Sequence, residues 1–600
     1  MNNKVKTSLM ALGLGLGVFS VGFVVNTGAS ISASVFVQEE NNEKTKLYKL
    51  FDDEVALQKA HQANGGEFDI NNQFVDQSPA GHLARLNDQK LLLDRLNGID
   101  PSTLSKEDQL NYNLFEFVMS HRVTQAEFKP YRIPFLADSG FFIRMASQVE
   151  RKPFKTVEDY NNYLAWLDQL PAYVDQHIDN MKQGISDGFT MPRIILDGIK
   201  GTIDAYANAN VDGSVYFAPF KSIPGNFSAE DQAAILEKGK AGVAGKALAA
   251  SKKLADFFTN TYMPAARKTL GAKDLPGGSD YYKYLVTFFT TMDITPKEVH
   301  DLGLSEVKRI RGEMEAIIKR VGFKGSFKEF LTFLRTDKQF YATSKRDLLK
   351  EASYISKRID AAMPRFFKTL PRKPYGVRAV PDEIAPNYTT GRYWGSRSET
   401  TPGYFMVNTY AVDKRPLYAL PSLALHEGVP GHHHQNAISG ELENMPTFRS
   451  RTRAHAFGEG WGLYTETLGE EMGIYETDYE RFGKLTYEMW RAGRLVVDTG
   501  MHFFGWSRQD AVNLFLENSA LNPHNINTEV DRYIAWPGQA LAYKMGELTI
   551  LRLRKKAEDA LGDKFDIRTF HDAILAKGSM PMNLLEAQID DFIADSLKAK

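Results

Sequence analysis

The stretch Leu423-Ala424-Leu425-His426-Glu427-Gly428-Val429-Pro430-Gly431-His432-His433-His434-Gln435 gathers side chains that bind metals and move protons. A histidine followed by a glutamate after an apolar run is the first half of the zinc-hydrolase pattern H-E-x-x-H. In that pattern two histidines one helical turn apart reach one ion, and the glutamate takes a proton from the activated water. The spacing here is different. Pro430 stands four residues after His426, and the next histidines are six and seven residues on. On a straight helix His432 would be turned by about 120° from His426, while His433 would be nearly in phase but about 10 Å further along the axis. Neither geometry closes on one ion. Pro430 cannot donate to the carbonyl of His426, and Gly431 tolerates unusual backbone angles, so a two-residue bulge or kink is expected there. It would give His426 and His432 the relation of i and i+4 and make both ligands, with His433 and His434 pointing elsewhere. A surface histidine run with adventitious metal affinity is the competing reading, and it does not explain the glutamate beside the first histidine.

Two histidines leave a zinc ion in need of a further protein ligand and an open position. The segment Arg453 to Glu466 supplies candidates. Glu459 lies 27 residues after His432, enough for a loop and a returning helix, and is the predicted third ligand. Glu466 is two turns further on nearly the same face and suits the orienting of a ligand. His455, one turn before Glu459, could hydrogen-bond it or meet substrate. Downstream, Arg494 and Asp498 are four apart in an apolar helix, where a simple ion pair competes with a catalytic role. His502 is either buried and hydrogen-bonded or close to substrate. In the segment 531–544, Tyr533 is the expected hydroxyl donor to the oxygen that gains charge on water attack. Arg532 could bind a carboxylate, Gln539 could hold substrate backbone, and Tyr543 follows on the substrate side.

The elements carrying these groups read as helices. Apolar residues recur three and four apart in the segments 160–181, 233–258, 304–318, 346–359, 479–495 and 540–561. Strand-like runs are short and few, Ser214-Val215-Tyr216-Phe217 and Phe405-Met406-Val407-Asn408 among them. The segment from Leu370 to Tyr404, rich in Pro and Gly, reads as a long irregular connection, ordered because it precedes the histidine cluster. The expected fold is mainly α: one large helical body, residues 34–600, with two lobes around a deep cleft and its motifs concentrated in 370–546.

Composition narrows the chemistry. The 600 residues contain no cysteine, which excludes disulfides, thiolate metal sites, thiol catalysis and thioether lipidation for this chain. Any metal must be held by histidine and carboxylate ligands. With 73 basic against 74 acidic side chains, there is no overall electrostatic footprint for nucleic acid. The chain opens MNNKVK, continues from Leu9 to Val25 without a charge, and then runs NTGASISAS. This is the order of an export signal, residues 1–33 with cleavage between 29 and 34, against the alternative of a retained anchor. A mature protein without a stable membrane span, exported to the periplasm, is the expectation.

Five stretches together resemble the DUF885 family: HEGVPGHHHQ at 426–435, EGWGLYTE at 459–466, RAGRLVVDTGMH at 491–502, RYIAWPGQALAYKMG at 532–546 and FDIRTFHDAILAKGSMPMNLL at 565–585. Gly462 departs mildly from the Ala common in EGWALY-like sequences. The resemblance implies a bacterial, largely helical protein related to zinc-dependent peptidases, holding one zinc ion per chain by His426, His432 and Glu459, with Glu427 as general base. Peptides, short or unfolded, are the implied substrate. Carboxypeptidase or dipeptidyl-carboxypeptidase action is implied only by likeness to helical zinc peptidases in general. A zinc hydrolase for another amide or ester, and a non-catalytic periplasmic peptide-binding protein, are the alternatives; an intact Glu427 beside a full ligand set argues against the second.

Overall fold

The computed structural model describes residues 42–61, 74–382, 384–385, 388–396 and 398–598. The export signal expected at 1–33 lies outside the described residues. Helix boundaries follow local chemistry. Thr295 caps the backbone N–H of Glu298 while Glu298 caps back, Pro296 opens the first turn, and Lys319 and Arg320 close the last, giving α2 at Pro296–Arg320. It follows α1, Gly278–Thr290. Thr477 and Glu480 form the same capping box at the start of α6, Asp478–Thr499. The other helices that position the site are α3 (Leu420–Glu427), α4 (His432–Glu441), α5 (His455–Leu468), α7 (Pro523–Ala535) and α8 (Ala542–Leu561).

The protein is mainly α-helical, as the periodicity predicts. The run Ser214 to Phe217, read from sequence as strand-like, instead opens a 3₁₀ helix at Val215–Lys221: Ser214 accepts the N–H of Tyr216, and Pro219 lies within the segment. The connection before the histidine cluster also departs from expectation. It carries β1 (Tyr375–Ala379) and β2 (Gly391–Trp394), which flank β3 (Gly403–Val407) in the order β1-β3-β2. β1 runs parallel to β3, with Tyr375 opposite Gly403, and β2 antiparallel, with Gly391 opposite Val407. β2 is thus an edge strand, its outer N–H groups free to bond elsewhere.

One continuous apolar cluster draws side chains from Leu47 to Ile593. Within it α2 packs along α6 and α5 along α8. α6 is buried from Leu485 to Thr499, so Glu488, Arg491, Arg494 and Asp498 are carried into the interior. A buried charge is costly unless it is paired or hydrogen-bonded, so the partners of these four groups organise the region around the site.

Candidate metal centre

α3 ends at Glu427 and α4 begins at His432, and the four residues between them form the expected two-residue insertion. Gly428 N–H still bonds the carbonyl of Ala424 at 2.9 Å, but the carbonyl of Gly428 then accepts from His433, five residues on, at 3.1 Å. Gly431 turns the chain so close to α3 that a Cβ there would lie 2.0 Å from the carbonyl oxygen of His426, a contact only glycine avoids. Trp461 of α5 donates its indole N–H to the carbonyl of Pro430 at 2.8 Å and ties the turn to the helix that carries Glu459.

The result brings three ligand atoms together. One atom each from His426, His432 and Glu459 lies within 4.8 Å of the other two. Glu459 Oε2 is 3.4 Å from His432 Nε2 and 3.7 Å from His426 Nε2. Glu466, the residue expected to orient a ligand, faces His426 Nδ1 at 2.8 Å. A carboxylate only accepts, so Nδ1 donates to Glu466 and leaves Nε2 facing Glu459 and His432. Arg491 of α6, which the sequence reading did not single out, sits 3.3 Å from the same oxygen of Glu466 and balances its charge.

The His426 ring lies against α5 at Gly462, where a Cβ would come within 2.7 Å of it. The exchange of Ala for Gly at this position is therefore a steric matter in this protein rather than a mild change.

Electrostatics show what the cluster needs. Burial disfavours charge on His426, but hydrogen bonds to Glu459 and Glu466 outweigh it and push its pKa up to about 9. Burial likewise opposes the Glu459 carboxylate, and the two histidines hold its pKa well below the ordinary value. The surrounding carboxylates thus favour a positively charged group at His426.

Glu427, next to His426, is held by the backbone of β2: its Oε2 accepts the N–H of Tyr393 at 2.7 Å. No sequence signal marked this contact, because it depends on β2 being an edge strand.

The other predicted residues are distributed as follows. His433 is fully engaged away from the triad, with Nε2 2.9 Å from the Lys373 carbonyl and Nδ1 3.3 Å from the Tyr393 hydroxyl. His434 is buried against Phe367, and burial pushes its pKa down to about 3. His455 is partly exposed and packs edge-on to Phe289 at 4.9 Å and Trp536 at 6.2 Å. His502 is structural: it accepts from Ala272 N–H at 3.1 Å and donates to the Tyr533 carbonyl at 2.9 Å.

Two expectations are corrected. Tyr533 is buried, and its hydroxyl already receives bonds from Trp490 (2.7 Å) and Arg494 (2.8 Å) and donates to Glu529 (3.0 Å), so it has no proton to offer elsewhere. Tyr543 is the phenol in electrostatic reach of Glu459, and it is partly exposed. Arg494 and Asp498 do not pair. Arg494 turns to Glu529 at 3.2 Å, while Asp498 accepts from the Tyr282 hydroxyl at 2.6 Å and Gly538 N–H at 3.0 Å. Arg532 donates to Gln539 at 2.8 Å and pairs with Glu529 at 3.1 Å.

A largely helical body with two histidines and a carboxylate converging beside a fixed glutamate defines the general class. The model of the family described as "Bacterial protein of unknown function (DUF885)" matches residues 60–589, and the chain belongs to that family. Two solved structures share its fold. One, titled a "putative lipoprotein" from Colwellia psychrerythraea, is 26% identical with a TM-score of 0.83, covering 92% of this chain and all of that one. The other, titled a "putative lipoprotein of unknown function" from Shewanella oneidensis, is 17% identical with a TM-score of 0.70, covering 91% of this chain and 99% of its own. No curated protein matches this chain. The chain contains no cysteine, the residue that carries a bacterial lipoprotein's thioether-linked lipid. No described helix is long and apolar enough to cross a membrane.

Proposed function

We propose that this protein is an exported zinc-dependent peptidase that hydrolyses short or unfolded peptides. The carrying observation is the convergence of His426, His432 and Glu459 within 4.8 Å, with Glu427 next in sequence to the first ligand. The donor set fits zinc: two imidazole nitrogens and one carboxylate, no thiolate, and a carboxylate behind His426 that fixes its tautomer. A zinc ion held there supplies Lewis-acid polarisation of the peptide carbonyl and of water.

The protein's own groups do the rest. Glu427, oriented by the Tyr393 N–H, takes the proton of the attacking water and returns it to the departing amine. Tyr543 donates its hydroxyl to the carbonyl oxygen as charge develops there. His455 and Trp536, partly exposed and backed by buried Phe289, offer a partly apolar wall for substrate side chains. Export is supported by the basic, apolar and small-residue order of residues 1–33.

The test is metal content together with peptide cleavage for the wild type and Glu427→Gln. One zinc per chain is expected in both, with cleavage reduced by about 10²- to 10⁴-fold in the variant. Unchanged cleavage removes Glu427 as the base. Absence of zinc after replenishment leaves peptide binding without hydrolysis as the function.

A further inference from the structure

A second concentration of charge lies beside the metal-ligand triad, on α6, α7 and the turn that follows. Two guanidiniums share one carboxylate there. Glu529 Oε2 is 3.2 Å from Arg494 Nη2 and 3.1 Å from Arg532 Nη2, and it also accepts the Tyr533 hydroxyl. All three side chains are nearly enclosed, at 4% exposure for Arg494, 13% for Arg532 and 11% for Glu529. Asp498 makes no bond to either arginine, its oxygens being taken by the Tyr282 hydroxyl and the Gly538 N–H. Two guanidiniums are thus left with one directly paired carboxylate in a poorly hydrated place, where a further acceptor is favoured. Arg494 Nη1 is also buried without a hydrogen-bond partner. An unsatisfied donor on a charged group costs free energy that a bound acceptor would recover.

This cluster adjoins the metal-ligand residues. The Arg494 guanidinium lies over the Tyr543 ring at 4.3 Å, and Tyr543 is in electrostatic reach of Glu459. Trp536, one turn after Arg532, meets the ring of His455, which stands one turn before Glu459. Arg532, Trp536, Tyr543, His455 and Glu459 are all partly exposed. Gln539 holds Arg532 Nη1 through its carbonyl oxygen at 2.8 Å and so fixes the fork.

We infer that Arg494 and Arg532 receive the C-terminal carboxylate of the peptide substrate, so that the protein trims peptides from the C-terminal end. This rests on the hydrolase reading of the metal-ligand triad and deepens it. A planar carboxylate suits the forked geometry of the guanidinium, and it supplies the acceptor that Arg494 Nη1 lacks. The backbone of an internal peptide segment brings no such group, whereas every C-terminus does.

The test reads binding without turnover. The full-length Glu427→Gln protein, loaded with zinc, is titrated by calorimetry with N-acetyl-Ala-Ala-Phe and with its C-terminal amide. The acid is expected to bind about 10- to 100-fold more tightly, the range for a charge-assisted hydrogen bond. Adding Arg532→Gln should bring the acid down to the affinity of the amide and leave the amide unchanged. Adding Arg532→Lys, which keeps the charge and loses the fork, should leave part of the difference. Equal affinities for acid and amide in the Glu427→Gln protein overturn the proposal. An Arg532→Gln variant that loses both peptides equally overturns it as well, since that marks a structural role. Cleavage by Glu427→Gln at the wild-type rate would defeat the catalytic reading alone, and the comparison of acid with amide would remain a separate result.

Discussion

Two buried charge clusters lie close together in this protein, and they are completed in different ways. Around Lys544 the cation is built in. Its ammonium is 2.8 Å from Glu488, 2.6 Å from Glu547 and 3.1 Å from Glu306, and Arg309 pairs with Glu306 and Glu488. Burial raises the pKa of Glu547, while Lys544 and Arg309 overcome burial to hold Glu488 at about 2. The three carboxylates and two cations are thus paired with one another inside the protein. Around Glu459 the neighbours are imidazole nitrogens, and among the described residues no Lys or Arg pairs with it, the nearby Arg491 facing Glu466 instead. The first cluster is an internal tie between α2, α6 and α8. The second has no built-in Lys or Arg partner among the described residues, and the proposed metal ion would supply its cation.

The sharpest way to break this contrast is to remove the cation from the closed cluster. Lys544→Met leaves buried carboxylates unpaired and should lower the unfolding free energy by about 3–5 kcal/mol, seen as a fall in the urea midpoint, with zinc affinity retained. Loss of zinc affinity without loss of stability would reverse the assignments. A smaller effect is expected at the open cluster. Glu466→Gln weakens the charge that orients His426 and should reduce zinc affinity by about 10- to 100-fold in a competition titration, with some loss of stability because buried Arg491 loses its counter-charge. Unaltered affinity would make Glu466 a partner of Arg491 alone.

A pH-dependent effect is expected at Asp498, beside the arginine pair. Burial raises its pKa from 3.8 to about 7, so the folded protein binds this proton more tightly than the unfolded chain. The stability this contributes is complete below the ordinary carboxyl pKa and is lost as pH rises through about 7. Between those values the wild type should lose stability relative to Asp498→Asn by up to about 1.4 kcal/mol per pH unit, measured by urea unfolding across that range. Parallel pH profiles for the two proteins would show that Asp498 is ionised throughout.

How much of this was legible in the sequence depended on how local the cause was. Pro430 and Gly431 sit between His426 and His432, so the bulge could be anticipated from two residue types and the period of a helix. Glu459 and Glu466, two turns apart, face the ligand side together for the same reason. Tyr533 was misjudged because a motif gives a phenol but not its direction, and the packing of α7 on α6 points it at Trp490 and Arg494. Arg494 and Asp498 have the spacing of an ion pair, yet each has a better partner on another element, which spacing along one helix cannot show. The small sheet was hidden because β1 and β2 lie among prolines and glycines that read as irregular. Its edge nonetheless orients Glu427, and that contact belongs to tertiary structure alone.

The central claim is that His426, His432 and Glu459 form a site for one metal ion. Calorimetric titration of the metal-stripped protein with zinc tests it most directly, for the wild type, Glu459→Gln and His433→Ala. One ion per chain is predicted for the wild type, with binding lost or severely weakened in Glu459→Gln and preserved in His433→Ala. Zinc binding unaffected by Glu459→Gln, or abolished by His433→Ala, would contradict the account.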